Sequence, residues 1–241
     1  MSTNDALGGR RLAASALAAA AEWLIEPAEE NEPERTPAPL EARPVVAVIG
    51  LAPRCGATTV ARALGAQLAA RDPGGACAVT SVAPAGAVAL GLPSAARLAR
   101  TLSPLVGSRA RACGRLCLVE RPDPTSLAGA ARYLAPLVVD VDEVADASTA
   151  AALADHLVLV ASPSTEPALA AVLAQSLRRV GPDPLTVLNR AGRDCERWAG
   201  RGAIALPEAR MGAQLALAGR EPLGGLGSAI AELSATCRQV R

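Results

Sequence analysis

Residues 45–59 read Val45-Val46-Ala47-Val48-Ile49-Gly50-Leu51-Ala52-Pro53-Arg54-Cys55-Gly56-Ala57-Thr58-Thr59. An apolar run, a loop of small residues and the start of an Ala/Leu/Arg helix follow one another, which is the context of a phosphate-binding loop. Such a loop needs small residues so that backbone N–H groups can face an anion, a Lys to reach the outer phosphates, and a hydroxyl for Mg²⁺. Gly56 and Thr58 match the closing residues, Ala57 stands where the Lys belongs, and Arg54 is the only cation in the loop. A helix N-terminus with Gly56, Thr58 and Thr59 still offers donors and the positive end of a dipole, so phosphate affinity is expected to be reduced rather than lost. Taken alone, the loop is also compatible with a turn that merely starts a helix.

Outward from this stretch the pattern repeats. Val45–Gly50, Cys77–Val82, Leu116–Val119, Leu137–Val141, Leu157–Ala161, Leu185–Leu188 and Ala203–Leu206 read as strands, most of them continuous apolar runs of the kind buried on both faces. Thr58–Arg71, Ala95–Thr101, Ser126–Leu134, Ser148–Ala154, Glu166–Val180 and Ser228–Arg238 read as helices. Strand and helix alternating at this spacing predict an α/β fold, a mostly parallel sheet of about seven strands with helices on both faces. Ligands of such sheets bind at the carboxyl ends of the strands. Asn189, Asp140 and the loop from Arg54 to Thr59 are therefore expected to line one cleft. Residues 1–43 are set apart from this domain (44–241): a helix is expected at Arg10–Ile25, followed by an acidic, Pro-rich linker from Glu26 to Pro44.

Composition narrows the chemistry. The chain has 241 residues, 51% of them hydrophobic, with 24 basic against 23 acidic side chains, so no charge-driven partner such as nucleic acid is expected. Lys and Phe are absent, which leaves a core of Leu, Val and Ala and no lysine-dependent chemistry. Six Cys and one His, without a Cys-x-x-Cys pair, do not make a zinc pattern. Cys77 and Cys117 fall in apolar runs and suit a reducing compartment. The longest apolar run, Leu12–Ile25, is short of the roughly 20 residues that span a bilayer, and a cytoplasmic protein is expected.

Further stretches fall in a telling order. The loop closes with Gly56-Ala57-Thr58-Thr59; Tyr133–Asp140 is an apolar strand ending in a carboxylate; Ala154–Pro163, Thr186–Arg190, Ala203–Pro207 and Ala218–Leu223 follow. Together, over about Pro44 to Ala235, they resemble the ParA/MinD superfamily of P-loop ATPases, and more closely its CpaE/TadZ-like pilus-assembly branch. The resemblance implies a SIMIBI-type P-loop NTPase fold and ATP or ADP with Mg²⁺ as cofactor. It places Arg54, Cys55, Gly56, Ala57, Thr58 and Thr59 around the nucleotide, and Asn189 on the adenine. Thr58 and Asp140 would serve the metal, Asp140 being the one catalytic candidate, and the partners implied are proteins, a homodimer among them.

The departures from that pattern are chemical. A second, signature Lys of active members matches Ala52, so both lysines are missing and the Walker A motif is degenerate. The strand after the first helix, Cys77 to Ala83, carries no carboxylate where active members have Asp. Phosphoryl transfer is positioning and electrostatics, and one cation is worth about 10³- to 10⁵-fold in rate. The expectation is a non-catalytic or weakly catalytic localisation or assembly factor, a pseudo-ATPase acting through partners. The alternative is a working positioning ATPase in which Arg54 replaces the lysines; a ligase of the same superfamily is disfavoured because it too needs the loop Lys. Elsewhere, His156 at the start of a buried strand reads as structural, Asp142 and Glu143 as solvated loop carboxylates, and Arg178 and Arg179 as charges complementing a helix C-terminus. Cys55 sits in the loop next to Arg54, where a reactive thiol is conceivable.

Overall fold

β1 (Val45–Gly50) lies in the middle of the sheet with every side chain from Val45 to Ile49 buried. A strand covered on both faces is stabilised by apolar residues at every position, which is why this run shows no alternation. The computed structural model describes residues 41–81, 90–141, 144–192 and 195–238. The helix expected at Arg10–Ile25, the linker as far as residue 40, and Ala83, Asp142 and Glu143 lie outside the described residues.

The remaining strands are β2 (Cys77–Ser81), β3 (Ala110–Cys113), β4 (Leu116–Glu120), β5 (Leu137–Val141), β6 (His156–Ala161), β7 (Pro184–Ala191) and β8 (Ile204–Pro207). They form one eight-stranded sheet in the order β3-β4-β2-β5-β1-β6-β7-β8. Every neighbouring pair is parallel except β3 with β4. The helices are α1 (Ala57–Arg71), α2 (Pro93–Val106), α3 (Pro124–Ala131), α4 (Ala147–Leu153), α5 (Pro167–Leu177), α6 (Arg210–Leu217) and α7 (Gly224–Thr236). Among the described residues none is long and apolar enough to cross a membrane.

Successive strand side chains point to opposite faces, and β1 divides its residues accordingly. Val45, Ala47 and Ile49 share a core with Leu102 of α2, Leu127 of α3, Ala150 of α4 and Leu177 of α5. Val46 and Val48 share the other with Leu64 of α1, Ala216 of α6 and Ile230 of α7. Each fully buried Leu, such as Leu64 or Leu102, contributes about 1.5–3 kcal/mol. The expected α/β class and parallel sheet are what the chain adopts, with one strand more.

The additional strand is β3, which alternates Ala110, Arg111, Ala112 and Cys113 and lies at the sheet edge, paired only with β4. A half-exposed edge strand lacks the continuous apolar run that marks the central ones. α6 likewise goes beyond the expected helices, because Gly212 inside it argues against a helix on propensity. That glycine packs closely on α7, where a Cβ would stand 2.9 Å from Leu226 Cδ2.

The amino-terminal ends of the strands are tied by ion pairs. Buried Asp155 accepts the Val45 N–H through Oδ2 at 2.9 Å, and its Oδ1 accepts from the Arg132 guanidinium. Nearby, Arg43 Nε pairs with Asp72 Oδ1 at 3.1 Å. His156, in register with Val46, begins β6 at this same end, far from the carboxyl-end loops.

Candidate functional site

The loop between β1 and α1 begins as an extension of the sheet, for Leu51 N–H donates to Val160 O at 2.9 Å. The chain then reverses, with Arg54 at φ 60° and Gly56 at φ 90°, and Cys55 N–H donates back to Ala52 O at 3.2 Å. Gly56 is the N-cap of α1 and supplies no side chain to cap it. The first-turn N–H groups of a helix have no partner within it, and the aligned peptide dipoles make that end positive. Ala57 is the first helical residue, and its methyl group offers nothing to an anion.

Asn189, near the end of β7, donates from Nδ2 to the Cys55 carbonyl at 2.9 Å across 134 residues of sequence. The approach is close enough that a Cβ on Gly56 would lie 2.1 Å from that nitrogen, so residue 56 must be glycine for space as well as for φ. Arg190 follows in the left-handed region at φ 58°, at a register shift between β7 and β8. Its guanidinium donates to the Arg54 carbonyl.

Two cavities flank the loop. One, of about 290 Å³, has Arg54, Gly56, Thr59, Asn189 and Arg190 at its rim, Glu208 and Arg210 opposite, and Val60, Leu226 and Ile230 along its apolar wall. The other, of about 520 Å³, follows the loop itself from Gly50 to Thr58 and is closed on the far side by Val141 and Val144. Thus Asn189 shares a cleft with Arg54, Gly56 and Thr59, whereas Cys55, Ala57 and Thr58 line the second cavity.

Asp140 lines neither cavity, which corrects the expectation of one cleft containing it. It pairs with Val48 within the sheet and is buried. The β2–β5 ladder covers Ala78↔Leu137 and Val79↔Val138, and beyond it the Thr80 side chain takes over. Thr80 Oγ1 accepts the Asp140 N–H at 2.7 Å and donates to the Asp140 carbonyl at 3.2 Å. Thr80 was not anticipated as a site neighbour. The signal available was a hydroxyl inside an apolar run, which needs a partner when buried.

The donors around the loop fit an anion. Unpartnered helix N–H groups and the Thr58 hydroxyl at the second cavity suit phosphate oxygens. Among the described residues no three His, Cys, Asp or Glu side chains converge as a metal cluster. Cys55, within the loop, is buried. Burial pushes the Cys117 and Cys237 thiols up to about 12 and raises Cys77 as well, so these three stay neutral. At the end of α5, Arg178 pairs with Asp183 at 2.9 Å.

No protein-family model matches the chain, and no curated protein matches its sequence. Solved structures do share the fold. A ParA family ATPase from Chlorobium tepidum TLS superposes with a TM-score of 0.56 at 16% identity, over 81% of this chain and 98% of that one. A MinC:MinD cell division protein complex from Aquifex aeolicus gives 0.55 at 14% identity, over 80% and 94%. A Cyanothece McdA–ATP complex gives 0.55 at 14% identity, over 83% and 99%. The architecture is that of ParA/MinD-type P-loop proteins.

Proposed function

We propose that this chain is a ParA/MinD-like protein of the CpaE/TadZ type whose loop accepts the phosphates of ATP or ADP weakly, hydrolyses them slowly or not at all, and works as a localisation or assembly factor through protein partners, a second copy among them. The observation that carries the reading is Ala57. It occupies the first position of α1, where the phosphate-binding Lys would stand, while the turn around it keeps a left-handed Gly56 and an uncapped helix end. A preserved cradle with its cation removed supports binding of an anion more than its cleavage. The McdA neighbour was solved with ATP and the MinD neighbour with MinC, which supports nucleotide and protein, respectively, as the classes of ligand.

Asn189, Thr59 and Arg54 belong to the nucleotide side of this reading, and Thr58 with Asp140 to the side of a Mg²⁺ ion. Bound Mg²⁺ would neutralise charge on the phosphates; Thr58 would offer it a hydroxyl, and Asp140 would act from beneath the loop. Calorimetric titration with ATP and ADP, with and without Mg²⁺, tests the proposal. Weak binding by the wild type and binding at least about tenfold tighter by Ala57→Lys are expected, one charge-assisted hydrogen bond being worth about 1.5–3 kcal/mol. Tight Mg²⁺-dependent binding by the wild type, unchanged in Ala57→Lys, would contradict it and favour an ATPase in which Arg54 replaces the lysines.

A further inference from the structure

We infer that Asn189 and Arg190 are positioning residues that clamp the loop from the end of β7, and that this clamp, acting on two successive carbonyls, sets the direction of the N–H groups offered to phosphate. The inference rests on the anion-binding reading above and assigns it two residues that act through the backbone. It starts from three contacts: Asn189 Nδ2 donates to Cys55 O, the Arg190 guanidinium donates to Arg54 O, and Gly56 packs directly on Asn189.

In a trans peptide the C=O and the following N–H point in opposite directions. Drawing Cys55 C=O towards Asn189 therefore turns Gly56 N–H away from β7 and towards the loop's other side. Drawing Arg54 C=O towards Arg190 turns Cys55 N–H inwards, where it meets Ala52 O at 3.2 Å. The two bonds thus fix consecutive peptide planes at the point where the loop enters α1. The device depends on the irregularity in β7. A bulge re-aims side chains, and the register shift after Asn189, with Arg190 at φ 58°, lets two adjacent residues both reach the loop. A regular strand would have sent them to opposite faces.

Asn189 so placed differs from a residue whose task is to read adenine. A clamp acts on any polyphosphate, with or without a base; a base reader acts only when the base is present. Inorganic triphosphate and ATP therefore separate the two. Cys55 gives a readout that needs no ligand, since it is a buried residue of the clamped loop itself and its thiol should react faster when the loop loosens. Cys77, fully buried in β2, reports on general loosening of the fold.

The experiment measures iodoacetamide alkylation of Cys55 and Cys77 by mass spectrometry in the full chain, and the affinity for inorganic triphosphate and for ATP with Mg²⁺, for wild type, Asn189→Asp, Arg190→Met and Arg190→Lys. Asn189→Asp keeps the shape and removes the donor; Arg190 is exposed, so its variants keep the fold. The clamp predicts Cys55 alkylation faster by about fivefold or more, the equivalent of one lost hydrogen bond, in Asn189→Asp and Arg190→Met. Cys77 stays unchanged, Arg190→Lys restores part of the protection, and both ligands weaken by the same factor. Unchanged Cys55 reactivity, a parallel rise at Cys77, or a loss confined to ATP would overturn it. Wild type that binds neither ligand would overturn the nucleotide reading, and the cysteine rates alone would then decide the clamp.

Discussion

The starts of the strands and the loop after β1 handle charge in opposite ways. At the amino-terminal end, Arg132 meets Asp155 and Arg43 meets Asp72, so cations and carboxylates cancel around the starts of the strands. At the carboxyl end, the Arg190 guanidinium rests on a neutral carbonyl, and among the described residues neither Arg54 nor Arg190 forms an ion pair. A cation on a neutral acceptor keeps its charge and still attracts an anion. The first arrangement holds the fold, and the second leaves a positive rim beside an uncapped helix. The same residue type meets carboxylates at one end and a backbone carbonyl beside the loop at the other.

The comparison is broken most severely by removing Asp155. Its loss in Asp155→Ala orphans the buried Val45 N–H, which costs about 1–3 kcal/mol, and the lost pair with the partly exposed Arg132 adds up to about 1 kcal/mol. Urea unfolding is expected to show that loss, with the affinity for inorganic triphosphate in the still-folded protein unchanged. Thr80→Val is smaller: it removes both hydrogen bonds to the Asp140 backbone and is expected to cost about 1–3 kcal/mol in the same assay. A cost below about 0.5 kcal/mol would show that the Thr80 bonds do not hold the end of β5.

The comparison also shows what could be read in advance. β1 and its loop were legible because a doubly buried strand must be apolar throughout and a tight turn must use glycine. Ala57 at the start of α1 was legible for the same reason, since the position is set by Gly56 before it. β3 was not legible, because Arg111 alternates with Ala on an edge strand. Nor was α6, whose interior Gly212 has poor helix propensity and packs against Leu226. The clamp was beyond reach, for Asn189 and Cys55 are 134 residues apart and meet only through a bulge that nothing local in Leu188-Asn189-Arg190 announces. Asp140 was correctly placed at a strand end. Its burial depends on how β5 sits between β1 and β2, a tertiary fact.

A smaller effect sharpens the view of charge that serves structure alone. Asp123 caps α3, accepting from Ser126 Oγ and Ser126 N, and these bonds hold its carboxyl below the ordinary aspartate value. A depressed folded pKa stabilises above the unfolded value and loses that contribution as pH falls through the folded one. Asp123→Ala is therefore expected to lower the melting temperature slightly at neutral pH, and the difference from the wild type to fade as the pH falls through the lowered folded value. A difference that persisted in acid would assign the effect to packing instead.

The central claim, a phosphate cradle without the cations of hydrolysis, is tested most directly by phosphate release from ATP by the purified full chain, with and without Mg²⁺, beside an Asp140→Ala control. The account predicts turnover below that of active relatives by about 10³-fold or more, the scale of losing one such charge. Turnover of about one per second, a usual lower figure for kinases, that disappeared in Asp140→Ala would contradict it.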